Sequence, residues 1–172
     1  EQQLVMNPVW HVHNGNVPKE DMIMSFSMLL NLVETSNADS KDLLWKFVKK
    51  YKSNIQETNF PIFDGLVSYA IKYFNDVIKS QKKYKTPSES EKKALEALIV
   101  TLEKCNDQMP PEEIQNLIYS TGKENGYAEN LRDWFKLIYE VVFGDENGPR
   151  MGFFISFFGV NETKDLIMSK LK

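Results

Sequence analysis

The chain has 172 residues with a net charge of −3, and 42% of the residues are hydrophobic. This length suits one domain and supplies enough apolar side chains for a buried core. The charge argues against a protein that coats nucleic acid without selectivity, because phosphate binding requires clustered lysine and arginine.

Apolar residues at steps of three and four predict helices through most of the chain, after an extended segment at 1–17. The predicted helices cover 19–34, 40–50, 62–79, from Thr86 to about 102, 110–122, 128–143, 150–158 and from Asn161 onward. Ser40, Thr86 and Asn161 are the predicted N-caps. Strand patterns are nearly absent after residue 17. We therefore predict an all-α fold, a bundle or cage of about seven or eight helices with a short extended N-terminal segment.

The single cysteine, Cys105, excludes an internal disulfide and suits a reducing compartment. The N-terminus has no signal-peptide pattern, and no apolar run approaches the ~20 residues of a membrane span. We therefore expect a cytoplasmic protein. The sequence begins with Glu1 rather than methionine, which suggests a fragment or a processed product.

Catalytic and metal-binding patterns are few. His11 and His13 have the alternate spacing of a metal site, but zinc needs three or four ligands and no cluster completes the set. Ordinary polar roles are favoured for both. Cys105 has no histidine nearby in sequence to activate it. Glycine-rich phosphate loops are absent. We therefore predict no catalytic residue, no metal and no cofactor in this chain.

The segment FGDENGPRMGFF (143–154) is the most informative part of the sequence. A turn rich in Gly and Pro leads into a helix whose first N–H groups have no helical partner. Arg150, in that first turn, can stack on an unstacked base or bond to its edge. The alternative is a tight corner in which Arg150 pairs with an acidic neighbour. The candidate binding residues are Gly148, Pro149, Arg150, Met151, Gly152 and Phe153.

Lysines cluster in KFVKKYK (46–52) and KSQKKYK (79–85). Such clusters are either solvated helix ends or contacts to phosphates. The candidate phosphate contacts are Lys46, Lys49, Lys50, Lys82 and Lys83.

The string DWFKLIYEVVFGDENGPRMGFFISFFGVNETKDLI resembles the C-terminal end of class I lysyl-tRNA synthetases. That family has a GPR motif there, between a WF pair and later glycines. Upstream, VWHVHNGNVP, SFSMLLNLV, YAIKYFNDVIK with KYKTP, ALEAL, and EEIQNLIY with TGKENG resemble the helical region of the bacterial branch, in order. The resemblance covers almost the whole chain.

The resemblance implies an anticodon-binding region that contacts the anticodon arm of lysine tRNA. The HIGH-like and KMSKS-like motifs of the class I adenylation domain are absent, so we expect the N-terminal catalytic domain, with its ATP and Mg, to lie outside this sequence. By itself this chain would be inactive. Residues 1–17 would connect to that domain, and 18–172 would bind tRNA, with 18–105 and 110–172 as candidate subdomains.

In the related class I glutamyl-tRNA synthetases, a Thr-Pro-Gly-Leu-Phe stretch lines the anticodon pocket. By position it corresponds to residues 148–152. This chain departs from that stretch at Arg150, where the related enzymes have glycine, and at Gly152, where they have an aromatic residue. Arg150 and Phe153 would then provide the stacking.

A helical scaffold for protein–protein interaction is the alternative function. In that case the GPRMGFF corner, Trp134 and Phe157 would face another domain, and the basic residues would be scattered. A tRNA-binding domain would gather its basic residues around one concave face.

Overall fold

Nine α-helices follow one another in the part of the chain that the computed structural model describes, which comprises residues 8–16, 19–36, 38, 40–52 and 54–172. No strand occurs among these residues, and the predicted all-α fold is confirmed. None of the described helices is long and apolar enough to cross a membrane. The helices are α1 Pro8–Val12, α2 Phe26–Ser36, α3 Lys41–Tyr51, α4 Pro61–Tyr73, α5 Glu89–Leu102, α6 Pro111–Gly122, α7 Leu131–Val142, α8 Met151–Phe158 and α9 Val160–Leu171.

The N-terminal region differs from the prediction in two places. Residues 8–12, predicted to be extended, form the short helix α1. The helix predicted over 19–34 begins only at Phe26. Ser25 marks this start, because its Oγ accepts a hydrogen bond from the Met28 N–H at 3.2 Å. Residues 13–15 form a turn. Residues 1–7 and 17 lie outside the described part, so the prediction is untested there.

Residues 19–25 are tied to α4 by a contact that the local sequence does not show. The Glu20 carboxylate accepts hydrogen bonds from the N–H groups of Ile62 and Phe63, at 2.9 and 2.7 Å. These N–H groups belong to the first turn of α4, where no helical acceptor exists. Glu20 therefore caps a helix some forty residues further along the chain.

Two of the three predicted N-caps are wrong. Helix α5 is capped by Ser88 rather than Thr86, and Ser88 forms a reciprocal capping box with Glu91. Helix α9 follows directly on Gly159, which has φ +113°, rather than on Asn161. Ser40 does stand at the N-cap of α3, but its side chain makes no capping hydrogen bond.

The hydrophobic core includes residues from α2 through α9. Trp134 lies in it with no exposed surface and donates a hydrogen bond from Nε1 to the Ile118 carbonyl at 3.0 Å. Phe157 is 3% exposed. The scaffold alternative needed both rings to face another domain, and the structure places both inside this one.

Candidate functional site

A cleft of about 830 Å³ opens between the start of α2, the turn before α8 and α8 itself. We call it the α2–α8 cleft. It contains four of the six residues predicted from the GPR segment, namely Gly148, Pro149, Arg150 and Phe153. Its other lining residues are Ile23, Met24, Ser25, Ser27, Met28, Asn31, Lys52, Asp145, Asn147 and Phe157.

The turn at 144–149 forms one rim of the cleft and is held by short-range contacts. Gly144 has φ +57°, a left-handed conformation that glycine adopts without strain. One residue later, Asp145 Oδ1 accepts a hydrogen bond from the Asn147 N–H at 3.1 Å. Such side-chain contacts to the backbone two residues on stabilise turns. The local sequence therefore favours a turn here, as the Gly and Pro pattern predicted.

Arg150 is exposed at the rim of the cleft. It was predicted to lie in the first turn of this helix, and it occupies the N-cap position of α8, one residue before the first helical residue. Its guanidinium carbon lies 5.6 Å from the centroid of the Phe153 ring, within cation–π range. None of the ion pairs among the described residues involves Arg150, so the predicted alternative of an acidic partner is not seen there. Among the described residues its guanidinium makes no hydrogen bond either, so its N–H donors can bind a ligand.

Met151 and Gly152, the other two predicted residues, lie in the interior. Met151 has no exposed surface. At Gly152 an added Cβ would lie 2.0 Å from the Pro111 carbonyl oxygen, because α8 packs against the first turn of α6. Gly152 was predicted to be a candidate binding residue. Its small size instead permits the approach of a neighbouring helix.

Another wall of the cleft comes from α2 and the residues just before it, and no motif in the sequence pointed to it. Asn31 on this wall donates one amide hydrogen to the Ser27 carbonyl at 2.9 Å. No other hydrogen bond of its side chain is found within the described residues, which leaves its oxygen and second N–H for a ligand. Lys52, at the C-terminal end of α3, also lines the cleft. No local pattern links residues 25–31 to residue 150, so only the fold reveals this wall.

Lys82, a predicted phosphate contact, is largely buried and pairs with Glu34. Its Nζ lies 3.0 Å from Glu34 Oε2 and donates to the Phe143 carbonyl at 2.7 Å. The Lys82 side chain is 12% exposed and that of Glu34 is 4% exposed. Glu34 also accepts a hydrogen bond from the Tyr84 hydroxyl at 2.6 Å. Burial raises the pKa of Glu34, and the bonds from Tyr84 and Lys82 oppose this.

The other predicted lysines differ in their surroundings. Lys49 pairs with Glu57 at 2.7 Å, and Lys50 pairs with Asp107 at 2.9 Å and with Glu162 at 3.3 Å. These carboxylates neutralise charge that a phosphate would otherwise meet. The remaining two are exposed and form no ion pair with a described residue; they are Lys46 and Lys83. None of the five lysines lines the α2–α8 cleft.

No group of three or more His, Cys, Asp or Glu side chains that could hold a metal ion occurs within the described residues. Cys105 is half-buried and points its Sγ at the Thr101 carbonyl, 3.7 Å away. Burial raises the pKa of this thiol, which disfavours the reactive thiolate at neutral pH.

Comparison with known proteins places the chain beside lysine–tRNA ligases. It is 43% identical over 166 residues to "Lysine--tRNA ligase" of Rickettsia bellii (strain OSU 85-389), and 44% identical over 168 residues to that of Rickettsia rickettsii (strain Sheila Smith). These alignments cover 96% and 97% of this chain, but 32% of each relative. The chain thus spans about a third of the length of the curated relatives it matches. No protein-family model matches, and no solved structure matches significantly.

Proposed function

We propose, from its homology to one region of lysine–tRNA ligases, that the chain binds the anticodon arm of lysine tRNA for a ligase of class I. The observation that carries this proposal is Arg150. It lies exposed on the rim of a cleft large enough for a base, and no described acidic residue pairs with it.

The α2–α8 cleft offers one surface for stacking and another for hydrogen bonding. Arg150 and Phe153 can sandwich or flank an unstacked base, and such stacking contributes ~1–3 kcal/mol per base. Lysine anticodons are rich in uridine, and uracil has one donor between two acceptors. Arg150 can donate to the acceptors, while the Asn31 side-chain oxygen can accept from the donor. The two walls together complement uracil better than Arg150 alone.

The charge of the cleft favours local rather than long-range attraction of RNA. Lys52, Arg150 and Asp145 all line it, and the whole chain carries −3. Lys46 and Lys83, exposed and without an ion pair among the described residues, are the remaining candidates for phosphate contacts. We therefore expect modest affinity for the isolated chain, with a strong dependence on salt.

The rest of the proposal concerns the longer ligase. Adenylation of lysine with ATP and Mg, and transfer of lysine to tRNA in the cytoplasm, would belong to a catalytic domain outside this chain. Residues 1–17 would connect to that domain, and residues 18–172, with their candidate subdomains, would bind tRNA. The isolated chain, incubated with ATP, Mg, lysine and tRNA, is expected to form no lysyl-tRNA. Any turnover would refute this division of roles.

The test of anticodon recognition is a titration of the chain with labelled anticodon stem-loops at low salt, followed by fluorescence anisotropy. One stem-loop carries the lysine anticodon and the others carry a single change at each anticodon base. We expect at least one change to weaken binding about tenfold, which corresponds to about 1.4 kcal/mol. Equal binding of all stem-loops, or binding of none, would contradict the proposal.

A further inference from the structure

We infer that Tyr139 and Gln115 are positioning residues that hold Arg150 at the rim of the α2–α8 cleft from two sides. This inference rests on the proposed function, since it concerns how the RNA-contacting arginine is presented. Neither residue lines the cleft. Each contacts the backbone next to Arg150, one on the N-terminal side and the other on the C-terminal side.

Tyr139 fixes the two residues before Arg150. Its hydroxyl donates a hydrogen bond to the Pro149 carbonyl at 2.9 Å. Gly148 lies directly on its ring, so closely that an added Cβ would be 2.4 Å from a ring carbon. The ring itself is held between Phe135 and Phe143, each with its centroid 6.2 Å away. The hydroxyl thus donates from a ring that has little freedom to move.

The protonation state of Tyr139 supports this role. Burial raises the pKa of its hydroxyl to about 12. The hydroxyl keeps its proton at neutral pH, as it also would at the ordinary pKa of 10.0, and so stays a donor to Pro149.

Gln115 fixes the residue two positions after Arg150. Its Oε1 accepts a hydrogen bond from the Gly152 N–H at 2.8 Å, and its side chain is buried, at 4% exposure. N–H groups in the first turn of a helix have no partner within the helix, and Arg150 at the N-cap has no side-chain oxygen to supply one. Gln115, on α6, supplies the missing acceptor. The close contact of Gly152 with the Pro111 carbonyl holds the same turn in place.

Holding the backbone on both sides of Arg150 orders the turn before RNA arrives. A group that is ordered in advance loses less conformational freedom on binding, and the complex is correspondingly tighter. Loss of either contact should therefore weaken RNA binding only through Arg150. If the residue merely supported the fold, its loss would weaken RNA binding whether or not Arg150 were present.

The test is a double-mutant cycle that combines Tyr139→Phe with Arg150→Ala, read as affinity for the lysine-tRNA anticodon stem-loop. With Arg150 present, Tyr139→Phe should weaken binding about three- to tenfold. In the Arg150→Ala background it should have almost no effect. Tyr119→Phe is the matched control, because the Tyr119 hydroxyl makes no hydrogen bond to a described residue and the ring is 39% exposed. No effect of Tyr139→Phe, or equal effects in both backgrounds, would overturn the inference.

A second measurement needs no RNA and separates this inference from the proposed function. Amide hydrogen exchange of residues 148–153 is followed in the wild type, in Tyr139→Phe and in Gln115→Met, which fills the space without offering an oxygen. Faster exchange in this segment, with the Gly152 amide most affected in Gln115→Met, supports the positioning roles. Unchanged exchange overturns them. If the wild type binds no stem-loop but exchange responds in this way, the proposed function fails while the two contacts are shown to order the turn.

Discussion

Replacing Gly152 with alanine probes the packing of α8 against α6, which sets the position of one wall of the α2–α8 cleft. The new Cβ would lie 2.0 Å from the Pro111 carbonyl oxygen and 3.0 Å from the N and Cβ atoms of Gln115. The nearest atom belongs to the backbone, so no side-chain rotation relieves the contact. The two helices must separate by about 1 Å or more, in an interior packed as densely as a crystal.

Gly65→Ala provides the control that isolates this cost. Gly65 lies inside α4, and an added Cβ would meet nothing within 4 Å. Alanine gains up to ~1 kcal/mol over glycine within a helix. Gly152 is also helical, in α8, so both variants share this gain. The difference between them therefore reports the overpacking alone, for which we expect about 1–3 kcal/mol.

Equilibrium unfolding in urea measures the free energy of unfolding for the wild type and both variants. We expect Gly65→Ala to be at least as stable as the wild type, and Gly152→Ala to be less stable than Gly65→Ala by the amount above. The slope of the free energy with urea should stay constant, because the unfolded states are alike. Equal stability of the two variants would refute the close packing of α8 on α6.

Three further predictions concern single side chains. Ser88→Ala should cost about 1 kcal/mol in urea unfolding, because it removes the capping box of α5. Ser40→Ala, which removes no capping hydrogen bond, should cost much less; equal costs would contradict this. Burial raises the pKa of Glu34 above the ordinary value of 4.5. The wild type should therefore lose stability relative to Glu34→Gln as the pH rises from 4.5 through the raised pKa. Parallel pH profiles of Tm for the two proteins would contradict this expectation. Lys82→Met leaves the buried Glu34 carboxylate without its cation, and thermal unfolding at pH 7 should show a loss of about 3 kcal/mol; an unchanged stability would contradict this.

Helices with a regular apolar stripe were predictable, because the apolar side of such a helix is the side that packs into the core. α5 through α8 lie close to their predicted positions for this reason. The start of α2 could not be predicted in this way. Residues 19–25 follow the same periodicity but lie outside the helix, where Glu20 caps α4. A carboxylate that acts forty residues away leaves no local pattern.

The start of α5 shows how tertiary contacts decide between two local patterns. Thr86 and Ser88 each have a glutamate three residues later, so both satisfy the capping-box pattern. In the structure Glu91 also pairs with Lys85, 2.8 Å away, and Lys85 is anchored to α7 through its N–H and the Glu140 carbonyl. These contacts of Lys85, just before α5, therefore favour Ser88 rather than Thr86 as the N-cap.

Of the candidate site, only the part formed by the GPR turn could be predicted from the sequence. The GPR turn follows from glycine, proline and an aspartate, all within ten residues, and its Arg150 could be chosen as a binding residue from sequence alone. The helix contact of Gly152 could not be predicted, because a glycine that admits a ligand and one that admits a helix look the same in sequence. The Asn31 wall required the fold.

The central claim is that the α2–α8 cleft binds RNA through Arg150. The most direct measurement compares Arg150→Ala with Arg132→Ala in their affinity for the lysine-tRNA anticodon stem-loop at low salt. Arg132 is an exposed arginine on α7 outside the cleft, so both variants lose the same charge. We predict about a tenfold loss for Arg150→Ala and less than about twofold for Arg132→Ala. Equal affinities of the two variants would contradict the claim.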